Sequence, residues 1–307
     1  MPTAAGLLAA VAVGTALAAQ ARINGELGGR IDDGVVAALL SFAGGELVLL
    51  ALAATVPAVR AGLARTARGV RSGRLPWWQL LGGLCGAFLV ITQGLTVGVI
   101  GVAVFTVAVV AGQATSSLVV DRAGLGPGAA QPVTVTRIAG AVLTIAAVVL
   151  AVSDRLGTPA ALWIAVIPVL AGITVAWQQA VNGRVNTVAG NPLAATLVNF
   201  TVGIALLLVV AAVEVAVRGL PGPLPSNPVL YLGGPLGIVF IATAVTVVRL
   251  TGVLLLGLGT IAGQLVGALL LDVFVPVTGE QLTATAVAGT ALTLVAMAVA
   301  ALPSRRL

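Results

Sequence analysis

The sequence predicts an all-α polytopic membrane protein of ten transmembrane helices, folded as two five-helix repeats of opposite topology. Three observations predict it. First, 59% of the 307 residues are hydrophobic and 8% charged, with a mean hydropathy of +1.16. A soluble domain carries about 25% charge, and a soluble chain of this size has too little interior to hide so much apolar surface. Second, the apolar residues run unbroken for about twenty positions at a time, enough for a helix to cross roughly 30 Å of hydrocarbon. Barrel strands alternate apolar and polar residues over about ten positions. Third, the few polar residues inside these runs recur, in the same order, in the second half of the chain.

Ten spans follow along the chain, at about 4–22, 35–59, 78–97, 100–120, 134–152, 159–180, 193–216, 229–248, 252–273 and 282–302. Turn-forming residues separate them: Asp32-Asp33-Gly34, Arg74-Leu75-Pro76, Gly126-Pro127-Gly128, Pro221-Gly222-Pro223 and Ser226-Asn227-Pro228. The first span lacks the basic residues that open a secretory signal and belongs to the repeat described next, so it is read as a retained helix.

Gln20, Asn24 and Gly25 match Gln178, Asn182 and Gly183 at an offset of 158 residues, which also pairs Phe42 with Phe200 and Gly45 with Gly203. Further on the offset is 151. It pairs Gly82, Gly83 and Gly86 with Gly233, Gly234 and Gly237, Gln113 with Gln264, and Asp121 with Asp272. Gly140 then pairs with Gly289 at 149. The changes of offset fall in loops, where insertions are tolerated. The halves are residues 1–153 and 159–307, joined by 154–158. Five spans per half is an odd number, so the second half enters the bilayer from the opposite face. That inverted duplication is common among secondary transporters.

All fifteen basic residues are Arg, for a net charge of +6 and a pI near 11.4. They lie in loops and at helix ends with no basic stripe between aromatics, which argues against a nucleic-acid partner. Eleven fall on the side of the N-terminus and four on the other. By the positive-inside rule both termini are cytoplasmic. Five of them, within 60–74, also suit anionic lipid headgroups. Cys85 stands alone in an apolar span and His is absent. A buried structural thiol is the expected role, and no metal site or cofactor is expected. With no Lys there is no phosphate loop for a nucleotide-driven pump, and no constellation for an intramembrane enzyme is visible.

Polar groups in hydrocarbon need a partner or a wet cavity. Gln20 with Asn24, and Gln178 with Asn182, are four apart and share a helix face. They are candidates for two pseudo-symmetric substrate-binding clusters, or for hydrogen bonds that join the bundle. Gln113 and Gln264 follow glycines deep in the fourth and ninth spans, and either line a cavity or pack. Trp177 adjoins Gln178 and either walls the cavity, joins an interfacial belt or packs. Trp77, Trp78, Trp163 and Tyr231 suit an interfacial belt. Glu46 falls near the middle of the second span, where a carboxylate costs about 2.5–3.5 kcal/mol or more. It is the candidate for proton coupling, against a hydrogen-bonded structural role. Asp121 and Asp272 end their helices and need partners, for which Asp121 has Arg122 or Arg137 nearby.

Taken together, Gln20/Asn24/Gly25, Ser41-Phe42-x-x-Gly45, Gly82-Gly83-x-x-Gly86 and Gly112-Gln113 followed by Asp121 resemble the motifs of the drug/metabolite transporter superfamily, in its YdcZ-like (DUF606) branch. Many relatives there are single five-helix units, and this chain resembles a fusion of two. The second copy departs at Asn199 for Ser41, Ile204 for Glu46 and Ala286 for Arg137, so the halves have specialised. The resemblance implies an exporter of the bacterial inner membrane. Its substrate would be a small polar metabolite or organic cation, moved by alternating access with or without proton coupling. A channel or a structural accessory protein is the alternative. The bilayer and a small-molecule solute are the expected partners, and association into a homodimer stays open.

Overall fold

A computed structural model describes the backbone of residues 2–127, 133–151, 153, 159–275 and 282–302; within it the side chains of 2–5, 7, 159–163 and 241–258 are not described. The chain is all-helical, with no strand among the described residues. Helix α1 (Pro2–Ile31) outruns its apolar stretch by nine residues. Glu26 bridges Arg22 at 3.4 Å and Arg30 at 2.7 Å, four residues to either side, a spacing that supports a helix through polar sequence. Asp32 then takes a left-handed φ of 51°, and Asp33 caps α2 (Gly34–Thr55) by accepting from the N–H groups of Val35 and Val36.

The Arg-rich stretch predicted as a loop is a separate helix, α3 (Pro57–Arg71), opened by Pro57 at its first turn. Its cations serve helix C-termini, where they complement the dipole. Arg60 donates to the Ala53 carbonyl of α2 at 3.0 Å, and Arg65 to Ala189, the last residue of α6, at 2.6 Å. A 3-10 turn (Trp77–Leu81) leads into α4 (Gly82–Arg122).

The third predicted span, apart from its first turn in the 3-10 segment, and the fourth both lie in α4, whose only non-helical residue is Gly101, at φ 77° and ψ 165°. A straight helix of 41 residues would hold its ends about 60 Å apart. Here the start of α4 and the loop just past its end meet one turn of α6: a Cβ on Gly82 would stand 2.5 Å from Asn182 Oδ1, and one on Gly183 2.8 Å from Pro127 Cδ. The chain therefore doubles back at Gly101, a backbone geometry that glycine alone tolerates without strain. Then come α5 (Val135–Ala151), α6 (Pro159–Ala189), α7 (Pro192–Arg218), a 3-10 turn (Pro228–Tyr231), α8 (Gly233–Phe274) and α9 (Ala284–Ala301). Both ends of α8 likewise meet one stretch of α1. Gly233 faces Asn24, and Arg22 Nε donates to the Val275 carbonyl at 3.1 Å.

The three most extensive helix packings run between the halves, α1 on α8, α4 on α6 and α5 on α9, and α2 also packs on α7. Glycines set the close approaches, and they do so reciprocally. A Cβ on Gly14 would stand 1.9 Å from the Thr260 carbonyl oxygen, and one on its counterpart Gly172 2.1 Å from that of Val109. Gly112 faces Val169, and Gly263 faces Val11, at 2.0 Å each. Phe42 fills the notch at Gly203 and Phe200 the notch at Gly45, and the two rings meet at 4.8 Å. Small residues of this kind let helices pack where lipid supplies no hydrophobic drive.

Among the described residues, five helical stretches are long and apolar enough to cross a membrane: 34–55, 77–122, 164–189, 192–218 and 284–301. Their outward faces carry exposed aliphatics such as Leu47, Val209, Val213 and Val217, a surface that water would not tolerate and hydrocarbon does.

Candidate functional site

The Gln-x-x-x-Asn and Gly-Gly-x-x-Gly motifs are partners across the halves. On α4, Gly86 leaves room for Gln178 and Gly82 for Asn182; on α8, Gly237 leaves room for Gln20 and Gly233 for Asn24. Both motifs space their residues four apart, so one helical turn on each side brings the amides onto the glycines. The middle glycine closes the backbones: a Cβ on Gly83 would stand 2.1 Å from the Asn199 carbonyl oxygen, and one on Gly234 2.0 Å from that of Ser41.

Between the halves lies a cavity of about 340 Å³. Of the candidates from sequence, Gln20, Gln113, Gln178, Asn182 and Gln264 line it. Gln93, Gln179, Asn186 and Asn199 join them, so nine carboxamides surround one space. Phe42, Phe105, Phe200 and Phe240 supply its apolar walls, and no acidic or basic residue lines it among those described. Three of the amides form a relay. Gln178 Nε2 donates to Asn199 Oδ1 at 3.3 Å, and Asn199 Nδ2 donates to Asn182 Oδ1 at 3.1 Å.

The remaining candidates lie elsewhere. Asn24 is fully buried and donates to Gln93 Oε1 at 2.6 Å. Trp177 stacks on Trp78 with ring centres 6.3 Å apart. Glu46 is buried at the contact of α2 with α7, where its Oε1 accepts from Thr201 Oγ1 at 2.7 Å. Gln93 and Asn199 carry no repeat signal, because each interrupts the duplication. Ala244 stands at the position of Gln93, and Ser41 at that of Asn199. A lone amide within an apolar span was the available signal.

A second cavity of about 540 Å³ adjoins the first and shares Leu17, Gln113, Gln179, Phe240 and Gln264 with it. Asp121, Arg137, Gly126 and Pro127 stand in its wall, and Arg137 forms an ion pair with Asp121. The counterpart of Asp121 is employed differently. Asp272 accepts from the backbone N–H groups of Val102 at 3.0 Å and Ala103 at 2.7 Å, capping the helix arm that begins after Gly101.

The profile of a family described as "Putative inner membrane exporter, YdcZ" matches this chain twice, over residues 5–150 and 163–299. The chain belongs to the YdcZ branch of the drug/metabolite transporters. Its two copies of the family unit account for the paired motifs and their reciprocal contacts. No curated protein matches it. A solved crystal structure is similar over 98% of this chain and 96% of its own, at 21% identity and a TM-score of 0.55, a likeness of fold. YdcZ membership makes the protein a membrane exporter in class, which is not an enzyme class.

Proposed function

We propose that this chain is a secondary active exporter that carries a small polar solute across the bacterial inner membrane by alternating access. The observation that carries the reading is the central cavity: amides from both halves converge on one space at the interface between them. Inverted-repeat carriers bind their solutes at such an interface.

In this reading the chain crosses the bilayer ten times, through α1, α2, two arms of α4, α5, and their counterparts α6, α7, two arms of α8, and α9. Opposite insertion of the halves is supported by the placement of the two asparagines against one arm of α4. Asn24 meets Gln93, whereas its counterpart Asn182 meets Gly82, eleven residues earlier. The C-terminal ends of α1 and α6 thus lie at opposite ends of that arm. With the Arg bias, the ends near Asp121 and Arg137 are cytoplasmic and those near Asp272 are periplasmic.

The conformation is then open to the cytoplasm. Asp121, Arg137 and Pro127 edge the accessible cavity. On the far side Asn24 is bonded to Gln93, Gly28 packs on Gly94, and Asp272 caps Val102 and Ala103. In the outward-open state the Asp272 cap and the Asn24–Gln93 contact loosen, and the cytoplasmic mouth closes.

Counterflow in proteoliposomes tests the function. A carrier gives saturable uptake that is accelerated by solute loaded on the far side. Flux that never saturates would mark a channel, and absence of flux for every bound solute would mark a structural protein.

A further inference from the structure

We propose that the central cavity selects an uncharged, ring-shaped solute edged with hydroxyl or amide groups, the chemistry shared by free sugars and nucleosides, and rejects charged analogues. The proposal rests on the cavity being the substrate site of the transport reading above.

Nine of the fifteen carboxamide side chains in the chain line this one space. A carboxamide carries two N–H donors and one carbonyl acceptor and no charge. A wall of them matches solutes that both donate and accept along their edge. The relay from Gln178 through Asn199 to Asn182 fixes three of these amides in place. It leaves the Gln178 oxygen and an Asn182 N–H free to engage a ligand. Gln113 and Gln264 approach from opposite halves and make no hydrogen bond through their amides among the described residues.

The apolar walls fit the same class. Phe42 and Phe200 lie 4.8 Å apart, tilted by 32°, and both line the cavity. Packed on each other, they present ring edges that, with Phe105 and Phe240, give the amide wall an apolar flank, the mix of apolar lining and polar groups typical of small-molecule sites. A volume of about 340 Å³ is within the range of small-molecule sites.

Charge is what the site does not accommodate. Among the described residues, no Asp, Glu or Arg lines the central cavity. Glu46 is held by Thr201 in the contact of α2 with α7. In the adjoining cavity Asp121 and Arg137 neutralise one another. A cation or a phosphate entering the amide wall would shed water and gain no counter-ion, an uncompensated burial that proteins avoid.

The test uses the purified full chain in detergent, with equilibrium binding and thermal stabilisation as readouts. The neutral probes are uridine, adenosine, glucose and xylose; the charged ones are uridine 5′-monophosphate, glucose 6-phosphate, choline and tetraphenylphosphonium. At least one neutral probe is expected to bind, with every charged probe at least ~10-fold weaker, a factor worth about 1.4 kcal/mol. Gln113→Leu is expected to weaken that neutral probe ~10-fold or more, in line with one lost hydrogen-bonding partner. Should that variant fail to fold, Gln264→Leu carries the same expectation from the other half. Silence of all four neutral probes, or equal or tighter binding of a charged one, overturns the proposal. Counterflow of the same probes separates the two readings. Neutral binding without flux upholds the selectivity and removes the transport reading. Flux of choline or glucose 6-phosphate with no neutral binding does the reverse.

Discussion

Asp121 and Asp272 occupy equivalent positions, yet one makes an ion pair at a cavity edge and the other holds two backbone N–H groups. Each charge-assisted bond is worth about 1.5–3 kcal/mol. Asp272→Ala is therefore expected to lower thermal stability in detergent by several degrees, and Asp121→Ala, whose side chain is 41% exposed, by far less. Equal losses would mean that the cap contributes nothing beyond an ordinary ion pair. The paired amides divide in the same way. Asn24→Ala removes a buried partner of Gln93, and its expected effect is a loss of stability, about 1–3 kcal/mol for a polar group left unpaired. Glu46 has Ile204 as its counterpart, so proton coupling through it would be one-sided and would act through the contact with Thr201. If Glu46 couples, Glu46→Gln abolishes pH-gradient-driven transport and spares exchange at equal pH. Gradient-driven transport at the wild-type rate in that variant removes Glu46 from the mechanism.

Helices here meet through glycine rather than through matched apolar stripes. Carbonyl oxygens lie where a Cβ would stand at Gly14, Gly112, Gly172 and Gly263, all at 1.9–2.1 Å. Gly112→Ala and Gly263→Ala are expected to cost about 1–3 kcal/mol each through forced separation of the helices. Unchanged melting of both would refute the close approach of α4 to α6 and of α1 to α8. The all-helical, membrane-apolar character and the duplication were legible in the sequence because hydropathy and repeated motifs are properties of one strand of text. The pairing of Gln-x-x-x-Asn with Gly-Gly-x-x-Gly was not, since each motif's partner lies in the other half and no local period points to it. Helix α3 was hidden for a different reason. Its Arg residues read as loop and topology signal, and only their contacts with the Ala53 and Ala189 carbonyls reveal the helix termini they serve. The extension of α1 to Ile31 was likewise masked by the charges of Arg22, Glu26 and Arg30, which turn out to bridge along one helix face.

At the scale of the whole molecule, two family units with reciprocal contacts enclose a neutral amide-lined space, and they are not in identical surroundings. The Asn182 end meets the open cavity while the Asn24 end is sealed. A symmetric pair of units in unlike environments is what a carrier needs in order to exchange one opening for the other. The proposed exporter requires its two halves to be inverted relative to one another. Arg60 and Arg218 are equivalent residues at the 158 offset: Arg60 follows the C-terminus of α2, and Arg218 ends α7. The decisive measurement is side-specific labelling of Arg60→Cys and Arg218→Cys, each in a Cys85→Ala background, with a membrane-impermeant thiol reagent on sealed cells. The account predicts that position 218 labels directly and position 60 only after the membrane is breached; labelling of both from the same side would contradict it.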